Sequence, residues 1–125
     1  MMKKNDKTDK ICIEKILRYI GDIKECFEFY DIKSHSDLES KRLAGYAVTQ
    51  ILTNIYAAKQ KLTNEALMKL PEFDRIKLAG ARNIAGHDYD RVNFEMIYDF
   101  CNMLLSDKIK SELSEVLNDE QGQPE

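Results

Sequence analysis

Apolar residues recur along this chain at intervals of three and four, the period of a helix that buries one stripe. Ile13, Ile16, Leu17, Ile20, Ile23, Phe27 and Tyr30 keep that rhythm. The spacing predicts a first helix with Asp9 as its N-cap, closing near Tyr30 after a polar, fraying start over residues 1–7. Asp31 to His35 reads as a short connection, with His35 on the surface. Ser36-Asp37-Leu38-Glu39 matches a Ser-x-x-Glu capping box and opens a second helix. Its stripe is read through Leu38, Leu43, Tyr46, Ala47, Gln50, Ile51, Asn54, Ile55, Ala58 and Leu62, so that two amides one turn apart lie on or beside it.

Thr63-Asn64-Glu65 reads as the cap of a short helix ending at Leu70, and Pro71 forces a new start. A helix led by Pro71-Glu72-Phe73-Asp74 is expected to pack through Phe73, Ile76, Leu78, Ala79 and Ile84. Asn93 can cap the last long helix, whose apolar face is Phe94, Ile97, Tyr98, Cys101, Leu104 and Leu105. The period continues through Ile109, Leu113, Val116 and Leu117 after a bend at Ser106-Asp107. The tail from Asp119 has a disordered composition. Alternation at period two and internal repeats are both missing from the sequence. The expectation is an all-α, antiparallel bundle of four to five helices. It forms a single domain over residues 1–125 with flexible ends at about 1–7 and 119–125.

Composition narrows the picture. A chain of 125 residues buries a core without needing disulfides or metals. Cys12, Cys26 and Cys101 form neither a metal spacing nor an even disulfide set, and read as reduced core thiols. No apolar run approaches a membrane span, and the basic start Met1-Met2-Lys3-Lys4 leads into polar residues rather than a signal-peptide core. A cytoplasmic location without a membrane partner is therefore expected. A formal charge of −3 argues against gripping nucleic acid over a broad basic surface.

The densest chemistry lies in Leu78-Ala79-Gly80-Ala81-Arg82-Asn83-Ile84-Ala85-Gly86-His87-Asp88-Tyr89. On a helix Asn83 and His87 share a face, as do Arg82 and Tyr89, but Arg82 and His87 sit about 140° apart. A left-handed cap at Gly86 would swing His87 and Tyr89 back towards Arg82. An ordinary helix stop also uses a glycine and favours cations near its free carbonyls, so spacing alone leaves both readings open.

Arg82-Asn83-x3-His87-x-Tyr89, preceded by Ala79-Gly80-Ala81, resembles the signature of the HEPN superfamily, specifically the HepT-like toxins with their Arg-x4-His-x-Tyr motif. The likeness in helix order runs from Ile11 to about Leu105. The resemblance implies the toxin of a type II toxin–antitoxin system, a metal-independent endoribonuclease needing no cofactor. Arg82 and His87 would be catalytic and Asn83 supporting, in a homodimer or higher even-numbered assembly that lines one cleft with two motifs. Tyr89 would be the residue that an MNT-type nucleotidyltransferase antitoxin modifies with AMP. Where HepT-like chains show Gly-Glu-Ala on the second helix, this one reads Tyr56-Ala57-Ala58. The acidic residue is missing, and Asn54 or Gln50 are the candidates to stand in for it. The competing expectations are a catalytically inactive HEPN bundle that binds a nucleotide or a partner, and a plain helical adaptor.

Overall fold

The computed structural model describes the backbone of residues 4–78 and 92–122, and side chains over 8–78 and 92–119. Among these residues every regular element is a helix. They run α1 (Lys4–Tyr30), α2 (His35–Ser40), α3 (Arg42–Gln60), α4 (Asn64–Met68), α5 (Pro71–Asp74), α6 (Phe94–Leu104) and α7 (Asp107–Gly122). The all-α bundle read from the periodicity is the fold observed.

Helix α1 buries Ile13, Ile16, Ile20 and Ile23, as its stripe requires. It begins at Lys4, five residues before the expected cap. Asp9 is therefore not an N-cap but a buried residue inside the helix, and its carboxylate bonds Thr63 instead. The helix ends in a Schellman turn, with Ile32 N–H donating to Phe27 O at 2.9 Å and Asp31 N–H to Glu28 O at 3.3 Å. Asp31 takes the left-handed conformation (φ 54°) that this turn demands, and Ile32 drops into the core.

The cap of α2 is Ser34, two residues before the expected Ser36. Its Oγ accepts from Asp37 N at 3.2 Å, while Asp37 Oδ2 reaches back to Lys33 N at 2.9 Å. The predicted second helix is in fact two, broken at Lys41 (φ −99°, ψ 85°). The Lys41 ammonium donates to the carbonyls of Tyr30 and Asp31, tying this break to the end of α1.

Contacts at both ends set α1 and α3 antiparallel: Asp9 meets Thr63 beyond the end of α3, and Lys41 before its start meets Tyr30. Helix α7 packs back on α1 and α5, and α6 lies on α2 and α3. Their shared interior holds Leu38, Leu52, Ile55, Phe73, Ile97, Leu104 and Leu113, all fully buried. Phe27 of α1 stacks on Tyr98 of α6 with centroids 5.7 Å apart. A bend at Ser106 separates α6 from α7, as the sequence indicated, and α7 continues to Gly122, past Asp119.

Candidate functional site

Arg82, Asn83, His87 and Tyr89 lie outside the described residues, as does the whole span 79–91. The residues on either side of it are fixed from several directions. Upstream, α5 is only one turn long, and α7 caps it: Glu112 accepts from Glu72 N at 3.1 Å and from Phe73 N at 2.9 Å. Glu72 also pairs with Lys108 at 3.1 Å and Arg75 at 3.6 Å. The Lys108 hydrogen bond, aided by the Arg75 charge, holds the Glu72 carboxyl below its usual range.

At the other end of α5, Lys59 reaches over from α3. Its ammonium donates to Asp74 O at 2.9 Å and Ile76 O at 3.0 Å, lies 3.6 Å from Asp74 Oδ1, and sits over the Phe73 ring. Burial pushes its pKa down, and Asp74 opposes that shift. The expected helix through Pro71 does not continue, because the chain leaves helical geometry after Asp74 and turns through Ile76 to the buried Leu78.

Downstream, Val92 is buried and Asn93 caps α6, accepting from Met96 N at 3.1 Å as its sequence position predicted. The motif span thus enters and leaves through core residues, Leu78 and Val92. Sequence reasoning missed Lys59 and Glu112. The signal for Lys59 was available: it continues the buried stripe Val48, Leu52, Ile55, where a lysine needs acceptors. Glu112 had no comparable signal.

Gln50 and Asn54 do lie one above the other, with Gln50 Nε2 donating to Asn54 Oδ1 at 2.9 Å. They face outward, correcting the expected stripe. Helix α3 buries Ala44, Gly45, Val48, Thr49, Leu52, Ile55 and Ala58, whereas Leu43, Tyr46, Ala47 and Gln50 are exposed. Asn54 edges a shallow notch of about 110 Å³ between α1 and α3, with Cys12, Lys15, Tyr19 and Lys61 around it. Its two ammonium groups and an amide suit an anion better than a cation. His35 is exposed, as expected.

Among the described residues no group of three or more His, Cys, Asp or Glu is placed to hold a metal ion, and no helix is long and apolar enough to cross a membrane. Cys12, Cys26 and Cys101 are free thiols, pushed up in pKa chiefly by burial. Comparison with family models, curated proteins and solved structures returns no match.

Proposed function

We propose that this chain is a HEPN-type, HepT-like toxin: a cytoplasmic, metal-independent endoribonuclease that works as a homodimer or higher even-numbered assembly. The observation that carries this reading is the motif Arg82-Asn83-x3-His87-x-Tyr89 within an all-helical chain. Leu78 and Val92, the described residues that border the motif span, are both buried.

RNA supplies its own nucleophile. In this reading His87, whose ordinary pKa of about 6.5 suits proton transfer near neutrality, takes the 2′-hydroxyl proton. The 2′-oxygen bonds to phosphorus as the bond to the 5′-oxygen breaks, and that oxygen receives a proton, with the partner's copy of the motif available to give it. Arg82 holds the phosphate oxygens as their negative charge grows, and Asn83 orients the imidazole or the phosphate. Tyr89 is the regulatory residue. An adenylyl group transferred there from ATP by an MNT-type nucleotidyltransferase, with pyrophosphate leaving, would bring a phosphate that competes with RNA for Arg82.

Cleavage of RNA in chelator, at fixed salt, tests the proposal. The parent chain should give 5′-hydroxyl and cyclic phosphate ends, and Arg82→Ala and His87→Ala should each lower the rate at least 100-fold, the usual scale for losing such a group. Equal cleavage by parent and variants removes the catalytic assignment. RNA or nucleotide binding without cleavage favours the inactive binding bundle, for which the uncharged Tyr56-Ala57-Ala58 argues.

A further inference from the structure

From Leu43 to Ala58, α3 carries 16 consecutive residues without a charge, in a chain of which a third is charged. Seven of those residues are buried, four half-buried and five exposed: Leu43 is 68% exposed and Tyr46 45%, and Ala47, Gln50 and Ala57 are exposed with them. At 100° per residue Leu43, Ala47, Gln50, Asn54 and Ala57 fall within one arc of about 80°, so the outward strip runs from the first turn of α3 to its last. A solvated helix face ordinarily carries charges. This one carries apolar, small and amide groups, the composition of a face that is covered.

The neighbouring helix indicates what covers it. The notch that joins Lys15 and Tyr19 to Asn54 and Lys61 places the outward side of α1 beside this strip. Along that side the charges segregate, with exposed Lys15 and Arg18 towards the N-terminal half and exposed Asp22 and Glu25 towards the C-terminal half, while exposed Lys24 and Glu28 turn away from it. Glu14 lies beside Lys15, so the basic half is the weaker one. Phe29, 79% exposed, ends the acidic half on the same arc as Lys15 and Asp22.

We infer that the α1–α3 face is where two copies of this chain meet, around a two-fold axis that crosses the helices level with the gap between Gln50 and Asn54. This rests on the paired-protomer part of the proposed function and says which surface does the pairing. Such an axis turns one α3 antiparallel to its mate, so each Gln50 comes level with Asn54 of the other copy. Amides both donate and accept, so they satisfy one another across a symmetric contact without a charge. The same rotation carries the acidic half of one α1 over the basic half of the other. A parallel arrangement would instead set like charges together.

Sedimentation of the full chain at tens of micromolar tests this. The parent should sediment at twice its 14.5 kDa mass. Gln50→Lys and Gln50→Glu each put like charges near the axis and should weaken the dimer at least tenfold, while their far-UV spectra and melting stay those of the parent. An equimolar mixture of the two should restore it. Met68→Glu, at an exposed apolar position on α4, should leave the dimer intact. If the parent is a dimer and both Gln50 variants remain equally tight, or the mixture fails to recover, this face is wrong while pairing stands. A parent that is monomeric throughout overturns both.

Discussion

Asp9 shows how much one carboxylate organises here. Its Oδ1 accepts from Thr63 N at 2.9 Å and its Oδ2 from Thr63 Oγ1 at 2.6 Å, and Thr63 in turn caps α4 through Ala66 N. Removing it strips acceptors from groups in a 3% exposed site. Asp9→Ala should therefore cost about 1–3 kcal/mol of folding stability, and Asp9→Asn less because one acceptor remains. Urea midpoints of the three chains measure this; an unchanged Asp9→Ala midpoint would mean water replaces the carboxylate. An aspartate at the start of an apolar period reads naturally as an N-cap. Its role as a tertiary clasp was not legible, because its partner lies 54 residues away.

At the level of elements, α3 shows where periodicity is ambiguous. Leu43, Ala47, Gln50 and Asn54 keep a helical repeat, and so do Ala44, Val48, Leu52 and Ile55 one or two positions on. Both lines lack charge, so hydrophobicity alone chooses between them poorly. The structure chooses the second, helped by the break at Lys41, which resets the face that α3 turns inward. Leu52→Ala should then cost about 2–5 kcal/mol, whereas Leu43→Ala should change folding stability of the monomeric Gln50→Lys chain by no more than about 0.5 kcal/mol. Thermal or denaturant unfolding separates the two directly, and equal losses would return the face to its sequence-based orientation. Elements set by strong local signals, such as Asn93 capping α6 and Thr63 capping α4, were legible at the right residues, although α4 ends at Met68, two residues before the expected Leu70.

For the whole molecule, the all-α class followed from the spacing of apolar residues, because a bundle needs little more than matched stripes, whereas seven helices stand among the described residues where four to five were expected. The chemistry of Arg82, Asn83, His87 and Tyr89 was legible only as a motif, and those residues lie outside the described ones. Stability against pH is a property of the chain as a unit. Burial raises the folded pKa of Cys12, Cys26 and Cys101 above the ordinary 9.0. The unfolded chain thus sheds these protons first, and stability present below 9.0 is lost as pH rises from that value through the raised folded ones. Lys59 works in the opposite sense: its lowered pKa is a penalty that lifts as pH climbs towards 10.5, offsetting part of the loss. Glu72, lowered, contributes above its ordinary 4.5 and fades as pH falls below it. Urea midpoints should therefore hold level through neutrality and decline from about pH 9 upward; a rise there would mean Lys59 outweighs three thiols.

The antiparallel pairing of α1 with α3 has a consequence for how the chain is born. Synthesis delivers α1 first, yet the surface that receives Ile13, Ile16, Ile20 and Ile23 is not complete until α3 and the returning α7 have left the ribosome. An oily helix must wait for its mates while α2 to α7 are made. Its frequent exposed charges, Glu14, Lys15, Arg18, Lys24, Glu25 and Glu28, keep the unfinished polypeptide in solution until they arrive.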